Sequence, residues 1–207
     1  MANEERTVLM SFETDDQRER LIRTEWFPNH GVTFYDDGGI ERLLWRKPGT
    51  GINLVSYYAH RNDLFVIGDL GEAIYQWGEV ITLKWVAGLN LDYFAGKCVA
   101  SGTGLGYVEW DSALACKTVQ EAIATDDDVG DWSQFCAAGG SEACWNQVGW
   151  CDWLTDHGED WFGGWTEWPT VGERPSLRCH AHLVGLKMAF ATPEAGGDAA
   201  VCKGDRK

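Results

Sequence analysis

Between Gly31 and Gly78 the chain alternates short aromatic and branched runs with four turn-forming strings, DDGG, KPGTG, HRND and GDLG. Clusters of Gly, Pro, Asn and Asp between runs rich in Val, Ile, Tyr, Phe and Trp are the pattern of strands joined by tight turns. Turns this short join antiparallel neighbours. The spacing predicts strands at Val32 to Tyr35, Glu41 to Arg46, Ile52 to His60, Asp63 to Ile67 and Glu72 to Trp77, an antiparallel meander of four to five strands.

Helical signals flank the meander. Thr14 or Asp15 caps a helix running to about Thr24, with Leu21, Ile22, Glu25 and Trp26 at turn-compatible spacing, and Pro28 stops it. After Gly78, Val80, Ile81, Trp85, Leu89, Tyr93 and Phe94 predict one or two short helices, broken near Gly88 and ending near Gly96. A further helix starts near Asp111 and carries Leu114, Ala115, Val119, Ala122 and Ile123. SLRCHAHLVGLKMAFAT reads as a closing helix. The fold class expected is therefore α+β, a meander packed on helices.

A second feature bears on function. From Asp131 to Pro169 the chain has seven tryptophans interleaved with carboxylates, and from Thr118 to Glu173 it has twelve Asp or Glu and no Lys or Arg. Most of the formal charge of −15 thus falls in one segment. Within it, Asp131 opens a short helix closed by Gly139 and Gly140, and a second helix runs from Ser141 to about His157. Cys144, Val148, Cys151 and Leu154 form the predicted inner face of that second helix, with Trp145 and Trp153 at its edges. The domain expectation is a scaffold over 1–125, an acidic Trp-rich helical insertion over 126–173, a closing helix over 174–192 and a loose tail over 193–207.

A chain of 207 residues buries roughly 70% of its unfolded surface on folding, enough for a core without staples. A pI near 4.6 excludes broad attraction to phosphate backbones or anionic lipid and points to basic partners. No apolar run approaches the roughly 20 residues of a membrane helix, and the polar start lacks a signal-peptide core, so the expected location is a cytoplasm. The seven cysteines contain no CxxC pair. Cys136, Cys144, Cys151 and His157, and separately Cys179, His180 and His182, are candidate zinc ligands by residue type, but their spacings match no zinc module. Most of these thiols are expected to be reduced packing residues, and the two neighbouring histidines boundary residues of a packed helix.

No catalytic signature stands out. GDLGE at Gly68 to Glu72 offers Asp69 as a carboxylate at a strand end, yet a hairpin turn explains the string better. KPGTG is too short for a phosphate loop, and SGTGLG lacks its βαβ setting. The acidic segment is harder to dismiss. Burial explains most of its tryptophans, but surface helices normally intersperse both signs of charge, and this one omits the positive sign.

RKPGTGINLVSYYAHRNDLFVIGDLGEAIYQW, then LDYFAGKCVAS and LVGLKMAF, resembles an uncharacterised family of tailed phages and prophages, with a PGTG turn, a GDLG hairpin and a YFA helix. Ile52 stands where that family places Asn after the TG pair. The resemblance spans roughly Arg42 to Ser101 and Leu183 to Phe190, and it carries over no catalytic residue. It implies a phage origin, where small acidic accessory proteins include anti-CRISPR proteins and other inhibitors of host defence.

The expected function is accordingly a non-enzymatic, phage-encoded inhibitor of a host defence complex acting in the host cytoplasm. It binds a basic protein or ribonucleoprotein, a CRISPR effector foremost, through a DNA-mimicking face. Asp126, Asp127, Asp128, Asp131, Asp152, Asp156, Glu159, Asp160 and Glu167 form that face, with no cofactor, no metal, no direct nucleic acid and no membrane. The alternatives are an enzyme acting on a small molecule or nucleotide around the GDLGE turn, and a phage assembly component.

Overall fold

The computed structural model describes residues 14–36, 38–102, 107–125, 131–162 and 168–191, and the fold they form is α+β. Five strands stand where the turn strings place them: β1 (Gly31–Asp36), β2 (Glu41–Arg46), β3 (Val55–His60), β4 (Asp63–Gly68) and β5 (Ala73–Gln76). A sixth, β6 (Cys98–Ser101), extends the antiparallel sheet to the order β1-β2-β3-β4-β5-β6. It pairs Ala73 with Ser101 and Ile74 with Ala100, then shifts at a bulge to pair Tyr75 with Cys98. β3 starts at Val55 and not at Ile52, because Asn53 turns the chain with φ of 54°.

The GDLG string is the β4–β5 connection. A Cβ on Gly68 would collide with the Leu54 carbonyl, and Gly71 takes φ of 95°. Asp69 is spent on the same contact: its amide donates to the Leu54 carbonyl at 2.9 Å and its Oδ2 accepts from the Leu54 amide at 3.2 Å.

Alternation decides which side of the sheet is buried. Leu43, Trp45, Tyr57, Leu64, Val66 and Tyr75 point one way, into a core closed by helices. These are α1 (Asp15–Leu21), α2 (Leu83–Ala87), α3 (Leu91–Ala95) and the long α8 (Leu177–Ala191). Thr14 caps α1 in a reciprocal box with Gln17, and past Leu21 the helix widens into a π-turn over Ile22–Trp26. Gly88 and Gly96 end α2 and α3, as the sequence predicts, and Thr82 and Asn90 cap them. On the opposite sheet face Arg42 lies over the rings of its cross-strand neighbours Tyr35 and Tyr58, at 4.7 and 5.3 Å from their centroids.

Two compact units emerge, one over 14–108 and 175–191, the other over 109–174. The chain passes between them along β7 (Val108–Trp110) and β8 (Glu173–Pro175), which pair with each other. The second unit holds α4 (Ser112–Thr125), α5 (Trp132–Ala137), α6 (Gly140–Ala143) and α7 (Gln147–Phe162), followed by a 3₁₀ turn at Trp168–Thr170. It starts at 109, where the sequence reading starts an insertion at 126. The reason is apolar: Ala115, Val119 and Ile123 of α4 are buried in one cluster with Phe135, Trp150 and Leu154. Among the described residues no helix is long and apolar enough to cross a membrane.

A candidate acidic partner-binding face

The second unit is organised by its aromatic rings. Phe135 is fully buried, with the Trp132 ring stacked at 5.0 Å and those of Trp153 and Trp161 edge-on at 5.0 and 5.6 Å. Trp150 and Trp153, three residues apart on α7, stack at 5.6 Å with an 11° interplanar angle. Their N–H groups are also used: Trp110 donates to the Cys144 carbonyl at 2.9 Å, Trp150 to Trp168 at 2.7 Å and Trp153 to Ala138 at 2.9 Å. Each ring fills core volume while its polar edge satisfies a main-chain acceptor between helices. Most of the tryptophans described in the acidic segment are thus structural.

Trp145 departs from this pattern. It stands 61% exposed between α6 and α7, and Val148, one turn further on, is 71% exposed. The apolar spacing of the sequence puts Val148 on the inner face of a helix beginning at Ser141. Instead Asn146 restarts the helix, its Oδ1 accepting from the Gly149 amide at 2.8 Å, and the buried face becomes Trp150, Trp153, Leu154 and Gly158.

That rotation sets the outer face. Asp152, Asp156 and Asp160 follow at i, i+4 and i+8, with Glu159 beside them, and all four are exposed. None has an ion-pair partner among the described residues. At 1.5 Å rise per residue the four span about 12 Å, roughly one charge per 3–4 Å, close to the 3.4 Å per charge along one DNA strand. Asp131 has a different job as the N-cap of α5, where hydrogen bonds from Ser133 Oγ and the Gln134 amide hold its carboxyl below the ordinary carboxylate range. Asp126, Asp127, Asp128 and Glu167 lie outside the described residues.

Residues 109–174 carry fourteen carboxylates against two cations, a formal −12 out of the chain's −15. Both cations pair with acids at α4: Arg174 with Asp111 at 2.7 Å and Lys117 with Glu121 at 3.8 Å. The negative field is therefore a property of this unit and not of the scaffold.

Other chemistry finds less support. Among the described residues no three His, Cys, Asp or Glu side chains are placed to hold a metal ion. Cys179 and His182, three apart on α8, do converge, through Tyr75: its hydroxyl lies 3.7 Å from Cys179 Sγ and 3.0 Å from His182 Nδ1. Their i, i+3 spacing was the available signal. Burial drives the thiol up to about 12 and the imidazole down to about 4, so neither is charged near neutrality. His180 is buried as well, so the two histidines are core residues and not boundary residues.

Compared with known proteins, the chain matches no family model, no curated protein and no solved structure.

Proposed function

We propose that this chain is a phage-encoded inhibitor of a host defence complex, anti-CRISPR-like, that occupies a basic nucleic-acid-binding surface through the carboxylate face of α7 in the host cytoplasm. The observation that carries this reading is the stripe Asp152, Asp156, Glu159 and Asp160, four like charges on one helix face with no ion-pair partner among the described residues. Like charges at i, i+4 destabilise a helix, so a fold that needed only solubility would mix the signs. Val148, one turn before Asp152 on α7, continues that face with exposed apolar area, and Trp145 is exposed in the turn just before α7, the kind of apolar anchor a protein interface uses. The phage resemblance of the scaffold selects defence complexes among basic partners. The enzyme alternative loses ground because Asp69 is committed to the Leu54 backbone.

The test is displacement of labelled target DNA from a purified CRISPR effector ribonucleoprotein. The chain is expected to compete, and competition weakens steeply with salt. The combined variant D152N/D156N/E159Q/D160N is expected to lose about 10-fold or more in affinity. Competition that is insensitive to salt and survives those four changes overturns the proposal.

A further inference from the structure

Strand register draws one line of side chains across the outer face of the sheet. Tyr35 pairs with Arg42, Arg42 with Tyr58, Tyr58 with Phe65, Phe65 with Ile74 and Ile74 with Ala100, one residue from each of β1 to β6. Their chain neighbours Leu43, Tyr57, Leu64 and Tyr75 point into the core, so this row points away from it. The solvated face of a one-sided antiparallel sheet is ordinarily polar. This row instead holds three aromatic rings, two aliphatic side chains and one cation. Five strand spacings make it about 24 Å long.

The cation is not neutralised. The Arg42 guanidinium lies over both the Tyr35 and Tyr58 rings, its Nε is buried without an acceptor, and it has no ion-pair partner among the described residues. With its plane held against the rings, its edge is left for an acceptor from outside the chain. Two strands away, the exposed Phe65 makes no ring contact among the described residues. With Ile67, Ile74 and Ala100 it lines a hollow of about 290 Å³, and Glu72, on the same hollow, can accept from an amino group.

We propose that this sheet face binds single-stranded nucleic acid, with bases stacked on Phe65 and Tyr58 and a backbone phosphate at Arg42. Open aromatic and guanidinium surfaces on a sheet suit unpaired bases, whose faces a duplex hides. An extended apolar peptide would use the rings but leave Arg42 unanswered, and a single nucleotide would cover only part of the row. The charge that opposes such a ligand belongs to residues 109–174. Residues 14–108 and 175–191 carry twelve carboxylates against eleven cations, a formal −1, and no carboxylate stands in the row.

The experiment follows the fluorescence anisotropy of a labelled oligothymidylate of about ten nucleotides, alone and paired to its complement, as the full-length chain is added at low salt. Saturable binding of the single strand is expected, about 10-fold or more tighter than of the duplex. Phe65→Ser is expected to weaken it about 10-fold or more through lost stacking. Arg42→Gln is expected to weaken it too, and to make the log–log salt dependence shallower by about 0.7, the share of one phosphate contact on a single strand. The combined variant D152N/D156N/E159Q/D160N is expected to bind the strand at least as tightly as the wild type, which separates this face from the α7 stripe. Phe65 is exposed, so its variant is expected to fold, and circular dichroism verifies it. Absence of saturable binding, equal affinity for the duplex, or undiminished binding by folded Phe65→Ser overturns the proposal.

Discussion

The Tyr75 hydroxyl meets His182 Nδ1 at 3.0 Å in the scaffold core, where α8 packs on the buried face of the sheet. Burial holds His182 at about 4, with the Leu70 carbonyl opposing that shift and Arg178 reinforcing it. His180 is held at about 4 too, by burial first, with Asp15 and Glu19 opposing and Arg18 and Lys187 reinforcing. Both imidazoles are neutral in the native state near neutrality, while in the unfolded chain they titrate near 6.5. Below that value the unfolded state binds protons that the native state refuses, so stability falls as pH drops from about 6.5 to about 4 and then levels for these groups. His182 alone removes about 2 kcal/mol between pH 7 and pH 5. Urea midpoints at the two pH values measure this, and histidine NMR assigns it. A His182 resonance titrating near 6.5 contradicts it.

Gly185 lies on α8 where Tyr57 crosses it. A Cβ there would overlap the Tyr57 hydroxyl, which donates to the His182 carbonyl at 2.9 Å. Gly185→Ala normally strengthens a helix by roughly 0.5–1 kcal/mol through backbone entropy. Here overpacking outweighs propensity, and a net loss of about 1–3 kcal/mol is expected in urea unfolding. A stabilised Gly185→Ala would mean that the ring moves aside freely.

Trp150→Phe separates ring from donor. The substitution leaves an aromatic side chain to stack on Trp153, but the Trp168 carbonyl loses its 2.7 Å partner and the site loses volume. A destabilisation of about 2–4 kcal/mol is expected, read from urea unfolding by near-ultraviolet circular dichroism.

How far the fold shows in the sequence depends on which force places each element. Turn chemistry is local, so HRND and GDLG locate β4 and β5 within a residue or two, KPGTG ends β2 but leaves the start of β3 three residues early, and apolar spacing with Gly88 and Gly96 locates α2 and α3. β6 is set by pairing with β5, four residues with no turn string of their own, and past the helix that ends near Gly96 the sequence assigns them to no element until the partner strand is known. The phase of α7 fails for a related reason. One hydrogen bond accepted by Asn146 Oδ1 from the Gly149 amide restarts the helix and turns Val148 outward, and the apolar residues fit either phase. At the candidate face, the absence of cations is visible in composition, but the alignment of Asp152, Asp156, Glu159 and Asp160 on one side follows only once that phase is fixed.

Trp145 offers a contrast with its neighbours. It is 61% exposed and makes no indole hydrogen bond or ring stack among the described residues. Trp145→Ala is expected to change stability by no more than about 0.5 kcal/mol, as surface substitutions do. If the face is an interface, the same change lowers affinity for the basic partner by about 10-fold or more, since tryptophan anchors carry a disproportionate share of binding energy. Competition assays and urea unfolding on one preparation separate the two effects.

Asp156 tests whether the carboxylate stripe exists for the fold or for a partner. It lies one turn from both Asp152 and Asp160, so it takes part in two i, i+4 repulsions within α7. Asp156→Asn removes both, and each is expected to return about 0.2–0.5 kcal/mol, a small rise in stability that shrinks as salt screens the wild-type repulsion. A stripe kept only for solubility gives that rise with no change in competition against DNA. A stripe kept for a basic partner gives the same rise together with weaker competition and a shallower salt dependence. Opposite movement of stability and affinity in one substitution is the signature expected of a stripe kept for a partner, because the repulsion that Asp156 adds within α7 is then offset only in the complex.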